Sequence, residues 1–410
     1  MTESSPLRSR LRTAALVGVG AVVLASCAQD APQDTWDPAG SEAQRIHDLQ
    51  WPIFMIAGIV GLIVMAVVAI CVVKFKDRGQ PIPEQSHGKA WLEYMFIALP
   101  AVLLAGIAVP TVATIIELND TDDADCVINV TGQQWWWEYD YPIAGDGSIC
   151  GYMPTGETGT IVTSGQMVIP TDAKVVIRGT SRDVIHSFWV PRLNGKRDMV
   201  PGGVHTWNFN ANEPGIYAGQ CAEFCGLSHA NMRMEIVALD AADFQSWIDN
   251  QLEPYQPPEE GTLAAEGEAE FVAQCARCHQ VDGLTDADGN LVVAHPEDQV
   301  YSGAAPNLTN LMTRNTFAGA TWDLLVEDCR DEVWDAPADE FGPLYLEGVT
   351  DECLNETQLK QWLRNAPAMK PMYTDAELLE PTDGLVRGMP YLALSEDQID
   401  KLVAYLLERK

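Results

Sequence analysis

The chain has 410 residues, long for a single compact core, so two or three domains are expected. Its 58 acidic residues against 25 Lys and Arg give a formal charge of −33, which argues against direct binding to nucleic acid. Cationic proteins, metal ions or a salty medium are the counterparts such a surface suits.

The N-terminus reads as an export signal over residues 1–26: Arg8, Arg10 and Arg12 precede the apolar run 14–24, and Ala25-Ser26-Cys27 follows. Leu24-Ala25-Ser26-Cys27 also resembles the lipobox of bacterial lipoproteins, which makes Cys27 a lipidation candidate, with ordinary cleavage as the alternative. An extracytoplasmic segment, 27–50, leads into a hairpin of two apolar runs, 51–73 and 91–116. Each has the roughly 20 residues that span a bilayer as a helix. Lys74, Lys76, Arg78 and Lys89 lie between the runs, whereas Asp30, Asp34, Asp37, Glu42 and the aspartates of 120–125 flank them outside. By the positive-inside rule the short loop is cytoplasmic and everything after Ile116 is extracytoplasmic. Glu93, ionisable and close to the start of the second run, is a functional candidate by residue type, although a carboxylate near a helix end can simply face water.

Residues 117–252 hold short runs of branched and aromatic residues, such as Val127-Ile128-Asn129-Val130 and Val175-Val176-Ile177, punctuated by Gly, Pro, Asn and Asp. This spacing predicts an all-β sandwich or barrel. Within it, Cys221, Cys225, His229 and Met232 place two thiols, an imidazole and a thioether in one short loop. Soft sulfur with imidazole suits copper or zinc, and a second cysteine permits two bridging thiolates and hence two coppers sharing one electron. A second imidazole comes from His186, which directly precedes the aromatic Phe188-Trp189, or from its competitor His205.

A short amphipathic helix is expected over 243–252, and the Pro-rich acidic stretch 253–260 is a stiff linker. Residues 261–410 turn to helical periodicity, clearest where Ile399, Leu402, Val403, Leu406 and Leu407 share one face behind a Ser395 cap. Cys275-Ala276-Arg277-Cys278-His279 is a C-x-x-C-H sequence, in which both thiols bind haem covalently and the histidine ligates the iron. Met369, Met372 and Met389 are the candidate second ligands; Arg387-Gly388-Met389-Pro390 lies just before the final helix, where class I cytochromes c place theirs, so that resemblance favours Met389. Cys71 lies in the first apolar run, and the pairs left over, Cys126 with Cys150 and Cys329 with Cys353, suit disulfides in an oxidising compartment. The second pair encloses an acidic stretch, 330–352, that would shield the haem edge or dock a donor, with a stapled, solvated loop as the alternative.

The pattern Cys221-x-Glu223-x-Cys225-x-x-x-His229-x-x-Met232, with Asp183-Val184-Ile185-His186-Ser187, resembles the dinuclear copper signature of cytochrome c oxidase subunit II. The resemblance runs from the membrane hairpin to about Leu252, and a cytochrome c domain fused behind it is similar to the haem-bearing variant of that subunit. It implies a two-helix transmembrane hairpin, a cupredoxin-like sandwich and an all-α class I cytochrome c domain in a bacterial cell membrane. It implies further that both cysteines bridge the metals, His186 and His229 cap one each, Met232 is a weak ligand and the Glu223 carbonyl completes the set. The Glu223 side chain would bind magnesium against subunit I. Trp135, in Gly132-Gln133-Gln134-Trp135-Trp136-Trp137, matches the family's point of electron intake, although Gln133 and Trp136 stand where the family often has histidine and tyrosine. Glu93 matches a position associated with proton uptake toward subunit I. The implied partners are subunits I and III, a cytochrome c or cytochrome bc complex as donor, and membrane lipid. The implied role is to pass electrons through haem c and copper to subunit I for oxygen reduction; a copper-haem subunit of a nitric or nitrous oxide reductase is the alternative.

Overall fold

The computed structural model describes residues 18, 31–79, 81, 84, 87–286, 288–292, 305–375, 377 and 386–410. The lipidation candidate Cys27, and the export segment apart from Gly18, lie outside the described residues.

Two long helices, α1 (Ser41–Lys74) and α2 (Ala90–Leu118), are apolar enough to cross a membrane. Their side chains remain exposed along the hairpin, as at Leu62 and Val109, each 73% accessible. Apolar helices bare of protein contacts are stable where lipid covers them and their own backbone satisfies every polar group. At about 1.5 Å per residue, α1 is longer than the roughly 30 Å hydrocarbon layer requires. Its first turns therefore project beyond the layer and meet the extracytoplasmic domain: Ala43 N–H donates to Leu193 O at 3.1 Å and Ser41 N–H to Asn210 Oδ1 at 2.7 Å. An ion pair between Arg45 and Glu117 ties the outer ends of the two helices together.

The extracytoplasmic domain is a sandwich of two mixed five-stranded sheets. One runs β3 (Ile161–Ser164), β2 (Trp136–Tyr141), β1 (Cys126–Gln133), β5 (Val175–Ser181), β8 (His205–Phe209). The other runs β4 (Gln166–Pro170), β10 (Arg233–Leu239), β9 (Gly215–Cys221), β6 (His186–Trp189), β7 (Arg197–Met199). Alternating residues such as Ile128, Val130, Ile177, Phe188, Trp207 and Ile236 fill the space between them, as the period of a strand requires. In the central pairing of the second sheet β6 and β9 are antiparallel, with Phe188 opposite Cys221. That register brings His186, at the start of β6, beside the end of β9. The disulfide Cys126–Cys150 staples β1 to the loop after β2.

Helix α3 (Ala241–Gln251) closes the sandwich and leads through residues 252–262 into a helical C-terminal region. Here α4 (Leu263–Gln274) crosses the last helix, α8 (Glu396–Leu407), so closely that a Cβ at Gly267 would lie 1.9 Å from Lys401 O. Only glycine permits that approach. Phe271 packs on Tyr405 with ring centroids 5.2 Å apart, and Ser395 caps α8 in a capping box with Gln398. Helix α5 (Glu327–Trp334) carries Cys329 and runs into the acidic stretch that Cys329–Cys353 closes, α6 (Ala338–Glu347) lies within it, and α7 (Glu356–Met369) follows. A two-stranded ribbon, β11 (Thr316–Phe317) with β12 (Trp322–Asp323), interrupts the otherwise helical region.

Sandwich and helical region share a polar seam that is itself buried. Arg314 donates to Ser164 Oγ at 2.9 Å, Asn315 N–H to Gln166 Oε1 at 2.9 Å, and Gln166 Nε2 to Glu235 Oε2 at 2.6 Å. Burial pushes the Glu235 carboxyl up to about 7 and the Arg314 guanidinium down to about 10.

Candidate metal centre

The loop between β9 and β10 folds back on itself because its backbone is internally bonded: Cys221 N–H donates to Met232 O at 2.9 Å and His229 N–H to Gly226 O at 3.1 Å. A single turn of 3-10 helix, His229–Asn231, then aims the imidazole inward. Cys221 Sγ lies 3.8 Å from Cys225 Sγ and 3.9 Å from His186 Nδ1. Cys225 Sγ lies 3.6 Å from His229 Nδ1 and 3.7 Å from Met232 Sδ, while Glu223 O approaches Cys221 Sγ to 3.2 Å. The structure thus gathers all six expected copper donors into one place. His186, Cys221, Cys225 and Met232 are buried, His229 is half-buried and Glu223 is exposed. The imidazole that lies with the sulfurs is His186; His205 lies instead in a cleft of about 580 Å³ with Asp198, Arg197 and Glu223.

His186 is oriented by a residue to which the sequence reading gave no role. Its Nε2 lies 2.8 Å from Asp183 Oδ1, and a carboxylate only accepts, so the proton is on Nε2 and Nδ1 faces the sulfurs. Asp183 is held in turn by the N–H groups of Gln134 and Val184, at 2.8 and 2.7 Å. Burial works to raise the Asp183 carboxyl, but the His186 imidazole first, and then these two N–H groups, outweigh it and keep it below the usual range. Burial likewise works to lower His186, and the bonds to Asp183 and Cys221 raise it. Gly132 makes the space, since a Cβ there would sit 2.8 Å from the imidazole ring. An aspartate three residues before a ligand histidine was the signal for this role.

The two thiols give up one proton readily and keep the other between them. The hydrogen bond from Cys225 to Cys221 stabilises a Cys221 thiolate against the cost of burial and pushes it down to about 4, while Cys225 moves up. A thiolate is the form that binds metal. Two sulfurs, two imidazoles, a thioether and a carbonyl fit a soft, thiolate-bridged metal pair.

Trp135 is buried, and its indole N–H donates to Cys225 O at 3.1 Å; Gln134 Nε2 donates to the same oxygen at 2.7 Å. Glu93 stands in the first turn of α2.

In the C-terminal region, α4 ends at the Cys275–His279 turn, where His279 N–H donates to Cys275 O at 2.9 Å. His279 Nδ1 lies 2.8 Å from Pro306 O, an acceptor only, so Nδ1 carries the proton and Nε2 is free to ligate. Burial lowers the imidazole and keeps it neutral. Two thiols beside an imidazole so oriented fit a covalently attached haem. Met372 is buried against Gly388, where a Cβ would lie 2.3 Å from its Sδ, so its sulfur is engaged in packing; Met389 is half-buried. Met369 ends α7.

Comparison with known proteins fits this organisation. The family described as the periplasmic domain of cytochrome c oxidase subunit II matches residues 126–239, and that of its transmembrane domain residues 29–114. The chain is 30% identical over 403 residues to cytochrome c oxidase subunit 2 of Alkalihalophilus pseudofirmus, covering 94% of each. With its namesake in Bacillus subtilis it is 29% identical over 306 residues, or 70% of this chain and 78% of the relative. The crystallised periplasmic domain of subunit II of cytochrome oxidase from Bradyrhizobium japonicum is 29% identical and matches 32% of this chain and 96% of its own, with a TM-score of 0.28.

Proposed function

The chain belongs to the cytochrome c oxidase subunit II family, and on that premise we propose how its own residues serve an electron-intake subunit of a respiratory oxidase. It is a two-pass membrane protein with an extracytoplasmic soluble part, carries a copper centre and associates with the other oxidase subunits. Cys221, Cys225, His186 and His229, with Met232 and the Glu223 carbonyl, would hold the copper pair, the two thiolates being shared between the metals and each imidazole serving one. Cys275 and Cys278 would hold a covalently attached haem c in a cytochrome c domain, with His279 and Met389 as its ligands. Once bound, the two groups supply one-electron redox chemistry between an external donor and the oxygen-reducing subunit.

The observation that carries this reading is the convergence of five donors of the loop after β9 with His186 at the start of β6, Asp183 fixing the tautomer of that imidazole. A delocalised pair changes geometry little as it gains or loses an electron, and a ligand set already in place keeps that change small. Phe224 and Leu227, 75% and 45% exposed beside the ligands, offer an apolar face to subunit I. The Glu223 carboxylate in the neighbouring cleft suits magnesium, a cation that takes few protein oxygens and keeps water. Trp135 belongs to the path of electron intake and Glu93 to proton uptake. Subunit III and a cytochrome c or cytochrome bc donor complete the assembly, and Cys27 carries lipid.

The test is purification of the whole protein from membranes with its partners. A c-type haem spectrum, a copper hyperfine pattern of a delocalised pair and oxygen uptake by a haem-copper partner are expected. Absence of the haem band, or a partner that reduces nitrogen oxides, would overturn the reading. Met389→Leu should remove the thioether-ligated haem spectrum and Met372→Leu should leave it; the reverse outcome would transfer the ligand to Met372.

A further inference from the structure

We infer that the C-terminal region caps Trp135 within the same chain, so that the Trp135 ring receives electrons through Tyr373 and is closed to any soluble donor protein. The inference rests on the haem and copper assignments above and adds a path between them.

Trp135 is only 2% exposed, and the segment 370–373 packs against it. The Tyr373 ring lies 5.1 Å from the Trp135 ring, centroid to centroid, tilted by 49°. Lys370, itself buried, donates to Trp135 O at 2.8 Å and to Ala318 O at 2.7 Å, and Ser228 of the copper loop donates to Pro371 O. Gly226, next to a copper ligand, has no room for a side chain: a Cβ there would lie 3.0 Å from Tyr373 Oη and 3.4 Å from Trp135 Cζ2. These contacts place aromatic rings of the two regions in van der Waals reach directly over the copper loop, and the Trp135 N–H continues the line to Cys225 O at 3.1 Å.

On its other side Tyr373 is tied to the segment that carries the proposed haem methionine. Arg387 N–H donates to Tyr373 O at 2.9 Å, two residues before Met389. An unbroken series of contacts therefore runs from the Met389 segment through Tyr373 and Trp135 to Cys225. The transfer moves one electron and no atom: the C-terminal side is oxidised by one electron, the copper side is reduced by one, and no bond or proton moves. A buried Trp135 has no face left for a second protein, so an external donor must deliver its electron to the C-terminal region. Tyr373 is a positioning residue for this step.

The experiment uses the purified oxidase complex. After flash photoreduction of the haem, Tyr373→Leu should slow haem-to-copper transfer by about tenfold or more, and Tyr373→Phe, which keeps the ring, should restore the rate. Both variants should keep their haem and copper spectra. Hydroxyl-radical footprinting gives an independent readout: Trp135 should be protected relative to Tyr391, which is 61% exposed, in the wild type, and the Leu variant should lose that protection. Transfer at the wild-type rate in Tyr373→Leu, or Trp135 labelled as fast as Tyr391 in the wild type, would overturn the inference. A complex lacking the haem band would instead overturn the functional reading beneath it.

Discussion

The copper loop and the Cys275–His279 turn both present two thiols and an imidazole, yet they hold them differently. In the copper loop the sulfurs face one another and the first is pushed down to about 4, by the hydrogen bond from its partner. In the helical region burial pushes the Cys275 thiol up to about 12. One site favours a thiolate ready to bind metal; the other keeps a neutral thiol suited to forming a thioether. The proposed copper ligands come from two separated stretches that the β6–β9 register brings side by side, whereas the proposed attachment turn needs only the end of one helix. A site assembled across a sheet depends on supporting residues far from it in sequence, and a contiguous site does not.

The most direct way to separate the two is Cys221→Ser. It should abolish the dinuclear copper signal in electron paramagnetic resonance and leave the haem spectrum intact; loss of both would mean the sites are not independent. Asp183→Asn probes the support alone. It exchanges the acceptor that fixes His186 for a weaker one and should reduce copper affinity by about 10- to 100-fold in a competition titration, with the haem unchanged.

The seam between the regions carries its own pH dependence. Glu235 ionises near pH 4.5 when unfolded and only at about 7 when folded, because burial disfavours its charge. The folded chain therefore holds a proton that the unfolded chain has released between those values, and stability falls as pH rises through that window. The loss is complete above about 7 and amounts to about 3 kcal/mol. Glu235→Gln should remove the dependence and raise the melting temperature above pH 7; a variant with the wild-type pH profile would show that Glu235 does not titrate in this window.

Gly226→Ala is expected to have the smallest effect. Its φ of +110° is strained for any side chain, and the new Cβ would lie 2.8 Å from Gln134 Nε2. A cost of about 1 to 3 kcal/mol in unfolding should follow, with a weakened contact between Tyr373 and the copper loop.

The sequence by itself determined the two apolar spans, the orientation of the hairpin, the Cys-x-x-Cys-His turn and the residue types of the copper loop. Each is written in composition or in contiguous spacing, so local chemistry is enough to read it. It offered both His186 and His205 as the second imidazole and three methionines for the haem, because distance in sequence carries no information about register across a sheet. Tertiary structure alone decided that His186 faces the sulfurs, that Asp183 turns its ring, and that Lys370 and Tyr373 close over Trp135. Those outcomes follow from strand pairing and from the burial of polar groups that must find partners, and both are properties of the folded whole.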